Sequence, residues 1–420
     1  MRKIFNQIWN QRRANAWVWA ELLVVNVLLW YAVDLVYNYE GAAWQPKGYD
    51  TDCVFDLTVQ TKPIELLDDA DNRNAGDDFT YLYNLIKDYP GVEEVCSYYG
   101  SVPYSANVMF EGYAPHADST RLVKCKIRYV SADYFKVVRL NPIAGKLNAE
   151  QWQFTEVPTP VLMSAELADS LFQTHDEGAV GQTCFNPYWL KNPNPMYRTT
   201  NYRVMVVLPS HKLDDYQRFE PFIYLPLPTG NPVFWHHVAV RVSPDHAAGF
   251  AERFREEMQP VFDRGIFYLD RIESYASMKE SFDIEQGTVN YLNSAYAVIA
   301  FFGFNIFLSI LGTFWFRTRK RRSEIALRMA MGCSRRGILK HYLTEGWLLL
   351  ALAALPAFLI CLNLRVADLT VHTLMDDTPL RFVGCFAFAV ALLAVIVSVG
   401  IAIPAHKAMK IQPAEALHEE

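Results

Sequence analysis

Two apolar segments on either side of a strongly basic connector constrain this chain more than any other feature. Residues 293–316 and 342–364 each have about the 20 residues that a helix needs to cross a bilayer. The connector, residues 317–341, is a dense run of Lys and Arg with a single acid, Glu324. Short loops this basic stay in the cytoplasm. The sequence therefore predicts two spans with a cytoplasmic loop of residues 317–341 between them, and this loop orients the rest of the chain.

Two further apolar segments, residues 16–37 and 382–403, complete a predicted four-span topology. The first is favoured as an uncleaved anchor over a cleaved signal peptide, because its run is long, is interrupted by polar residues and lacks a small-residue cleavage site. Residues 1–15 are then a cytoplasmic amphipathic segment, residues 365–381 a short outer loop and residues 404–420 a cytoplasmic tail.

Charge separates the remaining residues, 38–292, from the rest of the chain. The net charge of −6 divides into about −13 in residues 38–292 and about +7 elsewhere. An acidic outer part and a basic inner part are typical of a membrane protein with one large extracytoplasmic domain. Nucleic-acid binding is disfavoured for the basic connector, since membrane spans hold both its ends.

The extracytoplasmic domain alternates predicted strands and helices. Residues 50–101 and 235–274 each contain a strand, an amphipathic helix and a second strand, which favours a split, ferredoxin-like lobe; ordinary α/β packing remains an equal alternative. Residues 102–234 form a β-rich inserted lobe, and residues 275–292 form a stalk helix continuous with the second span. The predicted fold is an α+β membrane protein with four transmembrane helices and a large α/β domain.

Catalytic and metal-binding motifs are absent from the sequence. It contains no phosphate-binding loop, no H-E-x-x-H and no G-x-S-x-G, so no catalytic residue and no metal ligand is predicted. The adjacent pair His236 and His237 would point to opposite faces of a strand, which makes a shared metal a poor interpretation. Four cysteines of the outer domain leave one disulfide open, with none favoured: Cys53, Cys96, Cys125 and Cys184.

Polar side chains within the spans are few. The candidates are Glu21, Asn26, Asp34 and Asn305. Contacts with another helix, or snorkelling to the lipid headgroups, are favoured over an ion pathway, because such residues more often hold helices together.

The connector has helix signals of its own. Residues 323–331 favour a short helix, with Ser323 as its N-cap and Gly332 as its stop, and Ser334 caps the next helix. From charge and capping alone, an interfacial helix that serves only as a topology signal is as good an interpretation as a functional one.

The residues of the connector resemble those of a known family. The stretch EIALRMAMGCSRRGILKHYLTEG, residues 324–346, resembles the cytoplasmic loop of FtsX-like, MacB-type ABC permeases. The matching residues include Glu324, Ile325, Gly332, Ser334 and Glu345. The tail PAHKAMKIQPAEAL resembles the last motif of that family, and the four-span layout fits it too.

The resemblance implies a non-catalytic permease subunit that pairs with a separate cytoplasmic ABC ATPase, which would bind ATP and Mg²⁺; no cofactor is implied on this chain. Residues 323–331 would be a coupling helix that docks into the ATPase. The implied coupling residues are Arg321, Arg322, Glu324, Ile325, Arg328, Met329, Met331, Gly332, Ser334, Arg335 and Arg336.

The resemblance also implies a second permease copy or a paralogue, and a bacterial inner membrane with the large domain in the periplasm. It leaves open a periplasmic adaptor and an outer-membrane channel. The implied work is mechanotransmission that drives export or efflux of a peptide, an antibiotic, a lipid or a lipoprotein. A regulatory scaffold that controls envelope enzymes, in the manner of FtsX itself, is the alternative.

Overall fold

The computed structural model describes residues 12–63, 69–119, 121–154, 158–191, 201–227, 237–262, 266–320, 325, 327–329 and 331–408. The chain divides into two compact units. The membrane unit consists of Met1–Ala43 and Thr288–Glu420, and the sheet unit consists of Trp44–Gly287.

The helices and strands follow one another in this order: α1 (Arg12–Trp44), β1 (Val54–Thr61), α2 (Asp69–Lys87), β2 (Val92–Tyr99), β3 (Met109–Tyr113), β4 (Val123–Val130), α3 (Tyr134–Val137), β5 (Ala144–Gly145), β6 (Thr159–Ser164), α4 (Ala165–Phe172), β7 (Thr183–Phe185), α5 (Pro187–Lys191), β8 (Asn201–Leu208), β9 (Phe222–Pro226), β10 (His237–Val242), α6 (Pro244–Ala247), α7 (Phe250–Phe262), β11 (Phe267–Ser274), α8 (Tyr275–Glu285), α9 (Thr288–Lys320), α10 (Arg335–Val366) and α11 (Pro379–Ala408). Residues 325 and 327–329 form a further short helix, the loop helix.

Among the described residues of the membrane unit, four helices are long and apolar enough to cross a membrane, namely α1, α9, α10 and α11. One apolar core joins them, and it includes Leu29 of α1, Ile310 of α9, Ala353 of α10 and Leu393 of α11. Helix α10 continues through Pro356. Neighbouring helices are able to accommodate a proline in a membrane helix. The predicted four-helix membrane part is confirmed.

The sheet unit is built on one sheet of 11 strands. At one end the strands lie in the order β11-β1-β10-β2, and each neighbouring pair is antiparallel. Helix α2 connects β1 to β2, and α7 connects β10 to β11. This order is that of the split β-α-β arrangement expected from the sequence, so the predicted ferredoxin-like lobe is confirmed. Its core includes Phe55, Leu82, Val240 and Phe254.

The inserted lobe continues the same sheet. Strand β4 pairs with β2 and with β9, and the order then runs β9-β6-β8-β5, with β3 on β4 and β7 on β8. Strands β6 and β9 are buried along their whole length. The insertion is β-rich, as predicted, and its strands form a continuous sheet with the ferredoxin-like lobe.

The stalk prediction requires a correction. The sequence predicts one helix over residues 275–292 that continues into the second span, whereas the chain forms two helices, α8 and α9. Helix α8 has Gln286 as its C-cap, and Gly287 follows with a φ of 74°. This left-handed conformation interrupts a right-handed helix, and glycine adopts it without steric cost.

Candidate functional site

The loop helix is the central part of the predicted coupling surface. Ile325 is 4% exposed and belongs to the apolar core of the membrane unit, and Met329, one turn later, packs against that core. Leu327 and Met331 are 50% and 73% exposed. The loop helix therefore has one apolar side fixed on the membrane unit, and two large apolar side chains lie at the surface.

Three of the predicted coupling residues lie outside the described residues: Arg321, Arg322 and Glu324. Within the described part, Arg328 is half-buried on the loop helix. The described residues Ile325, Met329 and Met331 are close together because they belong to consecutive turns of one short segment.

Backbone hydrogen bonds fix the end of the loop helix. The N–H of Cys333 donates to the carbonyl of Arg328 at 2.9 Å, and the N–H of Gly332 donates to the carbonyl of Met329 at 3.0 Å. Gly332 has a φ of 89°. This pair of bonds around a left-handed glycine is a common helix stop, and it lies at the glycine for which the sequence predicts one.

Helix α10 begins immediately afterwards. The Ser334 hydroxyl accepts a hydrogen bond from the N–H of Gly337 at 3.1 Å, as the predicted N-cap should. Arg335 and Arg336 occupy the first turn and are exposed. Positive charge at a helix N-terminus opposes the helix dipole. The two arginines therefore add positive charge to this surface at a small cost to the helix.

A buried ion pair lies beside this surface. Nη1 of Arg317 donates to Oε1 of Glu345 at 2.7 Å, and Nη2 donates to Oδ1 of Asn15. Glu345 is 1% exposed. These three residues connect α9 near its C-terminal end, α10 in its N-terminal half and α1 near its N-terminal end. Glu345 belongs to the family-like motif, whereas Arg317 reads in the sequence only as part of the basic run.

Asp34 takes part in a second buried ion pair. Arg381 of α11 donates from Nε to one carboxylate oxygen of Asp34 at 2.9 Å and from Nη2 to the other at 2.8 Å. The same guanidinium donates to the carbonyls of Val371 and Met375 at 2.8 and 3.0 Å. Asp34 thus contacts another helix, which is the interpretation that the sequence favours.

The other polar residues of the spans differ from one another. Glu21 accepts a hydrogen bond from the hydroxyl of Ser309 on α9. Asn305 is exposed and donates to the carbonyl of Phe301 in its own helix at 2.8 Å. Asn26 is fully buried, and its amide has no hydrogen-bond partner among the residues that the structure describes. The structure therefore does not bring these residues together into one pathway.

Within the described ranges, no group of three His, Cys, Asp or Glu side chains could hold a metal ion. All seven cysteines are described and are free thiols, so the disulfide left open for the outer domain is not formed here. His236 lies outside the described residues.

His237 is part of a buried polar network in the sheet unit. Its Nδ1 lies 2.7 Å from Oδ2 of Asp56, and the Tyr98 hydroxyl donates to Oδ1 of Asp56 at 2.7 Å. Burial lowers the pKa of His237, but the Asp56 carboxylate raises it more, and the net pKa lies above its ordinary value. The network satisfies His237 within the core, which agrees with the structural role that the sequence favours.

The geometry of the membrane unit agrees with a family comparison. Residues 296–413 match the family model for the FtsX-like permease C-terminal region. The matched range covers most of α9, the loop helix, α10 and α11. Over this range the chain is similar to the FtsX-like permeases. The permease is thus a membrane component of an ABC-type system, and the resemblance seen in the sequence is confirmed.

No curated protein matches the permease. Among solved structures, it is similar to the extracellular domain of the noncanonic ABC-type transporter YknZ from Gram-positive bacteria, at 14% identity and a TM-score of 0.32, over 51% of this chain and 100% of that one. It is also similar to a domain of a permease protein from Porphyromonas gingivalis, at 11% identity and a TM-score of 0.30, over 54% of this chain and 88% of that one. At these TM-scores neither likeness bears on the function of the permease.

Proposed function

We propose that the permease couples ATP hydrolysis by a separate cytoplasmic ATPase to a conformational change of the sheet unit. In this proposal the membrane is a bacterial inner membrane, and the sheet unit lies in the periplasm. The change drives export or efflux of a peptide, an antibiotic, a lipid or a lipoprotein. The observation that carries the proposal is the loop helix, which is fixed on the membrane core by Ile325 and presents Leu327 at the surface, with Met331 exposed in the turn that follows it.

The chemistry of this surface suits a protein partner. Large apolar side chains exposed at the surface of a protein mark contact sites, and they fill a groove on a protein partner well. The unbranched Met331 adapts to such a groove. Arg335 and Arg336 add positive charge that attracts an acidic rim and orients the encounter.

Motion at this surface has a route into the spans. Ile325 and Met329 pack on the membrane core, and the Arg317–Glu345 pair joins the adjacent helix ends. A shift of the loop helix would therefore move packed side chains and a buried ion pair together. Packed elements of this kind switch between discrete arrangements rather than deforming gradually.

The proposal includes a second permease subunit, either a copy of this chain or a paralogue, because ABC ATPases act as pairs in the family that the sequence resembles. A periplasmic adaptor and an outer-membrane channel would extend the same cycle to the cell exterior.

Affinity purification in mild detergent tests the proposal. We expect a P-loop ATPase to co-purify with the permease in equal amount and to hydrolyse ATP. Replacing Leu327 by Asp places a charge in the proposed contact, and we expect it to reduce the amount of bound ATPase by more than about tenfold.

The matched control is Leu369→Asp in the outer loop, where the leucine is 59% exposed. It introduces the same charge at a similar exposure, and we expect it to leave ATPase binding unchanged. Absence of any ATPase in several detergents would reject the proposal and favour a regulatory scaffold. Equal binding by the Leu327→Asp variant would reject the loop helix as the docking element.

A further inference from the structure

The chain enters and leaves the sheet unit through two connectors, residues 45–53 after α1 and helix α8 before α9. A lysine of each connector reaches the same carboxylate. Nζ of Lys47 lies 3.3 Å from Oδ1 of Asp215, and Nζ of Lys279 lies 2.7 Å from Oδ2. Asp215 is 3% exposed. Each oxygen of one buried carboxylate therefore lies within ion-pair distance of a lysine from a different connector, and Lys47 donates its hydrogen bond to the Tyr104 hydroxyl at 2.7 Å.

Further bonds hold each connector at this point. The N–H of Lys212 donates to the carbonyl of Lys47 at 2.9 Å, and the Tyr49 hydroxyl donates to the carbonyl of Leu213 at 3.2 Å. On α8, Lys279 also pairs with Asp283 at 2.8 Å. The first connector is thus joined to the segment around Asp215 by backbone as well as by charge.

Residues 211–216, the anchor turn, are in turn fixed to the sheet. Burial lowers the pKa of His211 to about 4, so its imidazole is neutral near pH 7. Its Nδ1 lies 2.9 Å from the carbonyl of Pro209, which only accepts, and its Nε2 lies 2.7 Å from the Tyr224 hydroxyl. Nδ1 therefore carries the proton, and Nε2 accepts from Tyr224, which lies on β9.

We infer that Asp215 is the residue at which both connectors from the membrane helices are fastened to the sheet unit, so that displacement of either connector is passed to the anchor turn and strand β9. The inference rests on the proposed function for its role in coupling, but the fastening itself does not depend on it. Asp215 is a positioning residue in this account.

The charges of Asp215, Lys47 and Lys279 point to a positioning role, because stability alone does not require ion pairs at this place. A buried ion pair is often no more stabilising than apolar side chains of the same volume, whereas loss of one partner leaves an uncompensated charge. What the arrangement provides is a single defined position for two segments that are far apart in sequence.

Hydrogen–deuterium exchange of the full-length permease in detergent tests the fastening. The variant Asp215→Asn keeps the shape of the side chain and removes its charge. We expect exchange more than about tenfold faster in residues 44–50 and in residues 275–285 together. Faster exchange in one connector only, or in neither, would overturn the inference.

If Asp215→Asn folds poorly, single substitutions of the two lysines test the same contacts, because each removes only one of the two ion pairs. We expect Lys47→Met to loosen residues 44–50 and the anchor turn, and Lys279→Met to loosen α8 and the anchor turn. The matched control is Lys136→Met, which removes a lysine paired with Asp133 at 2.7 Å at an exposed site. It should change neither connector. Lysine variants that leave the anchor turn unchanged would also contradict the fastening.

A second measurement separates the fastening from the proposed function. With the co-purified ATPase, we expect ATP and vanadate to change exchange in the anchor turn of the wild-type permease. Asp215→Asn should abolish that change and keep the ATP hydrolysis rate within about twofold. A wild-type anchor turn that does not respond to nucleotide would reject the proposed function and the coupling role of Asp215, but not the fastening, which the exchange of the two connectors tests without nucleotide. An Asp215→Asn variant that responds like the wild type would reject the coupling role of Asp215.

Discussion

The loop helix and residues 367–378, the part of the predicted outer loop (residues 365–381) that lies between α10 and α11, both connect membrane helices, and different contacts hold them. The outer loop receives two hydrogen bonds from the buried Arg381, and the N–H of Met375 donates to Asn38 of α1 at 3.1 Å. The loop helix is held on the membrane core through Ile325 and Met329, while Leu327 and Met331 are exposed. Polar contacts therefore hold residues 367–378 against the membrane helices. Apolar packing holds the loop helix on one side only and leaves apolar side chains exposed on the other, where a partner can bind.

Breaking the Asp34–Arg381 ion pair should have the largest effect on stability. Replacing Arg381 by Met leaves Asp34 buried without its cation and two carbonyls without their donor, and we expect a loss of about 3–5 kcal/mol of unfolding free energy. Thermal unfolding in detergent measures it. The double variant Asp34→Asn with Arg381→Met should recover part of the loss, and a single variant as stable as the wild type would contradict the structural role of the pair.

The second-largest effect is expected at Gly332, where the loop helix ends. Gly332→Ala puts a side chain on a residue with a φ of 89°, and we expect this left-handed conformation to become less favourable by about 1–2 kcal/mol. Because the end of the loop helix is then less well fixed, we expect the permease to stimulate the ATPase less, which an ATPase assay measures. The control is Gly384→Ala in α11, where no atom of the described residues outside the adjacent helix backbone lies within 4 Å of the added Cβ. That change should be neutral or slightly stabilising. Equal effects of the two substitutions would remove the special role of Gly332.

A side-chain N-cap follows each of the two loops, which allows the same substitution to be compared at both. Ser334 accepts from the N–H of Gly337 at 3.1 Å, and Thr378 accepts from the N–H of Arg381 at 3.2 Å. We expect Ser334→Ala and Thr378→Ala to reduce stability by about 1 kcal/mol each. Only Ser334→Ala should also lower ATPase stimulation. The same loss of stimulation in both variants would contradict the division of roles between the loops.

The smallest effect on stability is expected in the turn that follows the loop helix. Met331 is 73% exposed, so Met331→Ala should change the unfolding free energy by less than about 0.5 kcal/mol. The affinity for the ATPase should nevertheless fall, which titration of the ATPase activity measures. An unchanged affinity would place the contact elsewhere on the permease.

Sequence patterns were sufficient for the large elements. Four apolar segments predicted α1, α9, α10 and α11, and alternating patterns on either side of the insertion predicted the split lobe. Several short strands were not predicted, for physical reasons. Strand β9 is buried on both faces and ends at Pro226, so it lacks alternation, and β5 has only two residues.

The candidate site was predicted in part. The loop helix, its stop at Gly332 and the cap at Ser334 have local signals, so the sequence locates them, although their role in coupling stays a prediction. The pairs Arg317–Glu345 and Asp34–Arg381 join residues that are far apart in the chain. In the sequence, these charged residues indicate only span boundaries or membrane topology. No local pattern predicts which acidic residue forms an ion pair with which arginine.

The break at Gly287 has a mechanical consequence. A continuous helix carries both tension and torsion along its axis, because every residue is tied to the next turn. At Gly287 the backbone leaves the helical path, and among the described residues no atom beyond its two chain neighbours lies within 4 Å of the position that a Cβ would take. Rotation of α9 about its own axis would be absorbed by the dihedrals of this glycine, whereas a pull along the chain would still reach α8. The junction is therefore expected to behave as a swivel rather than as a rod.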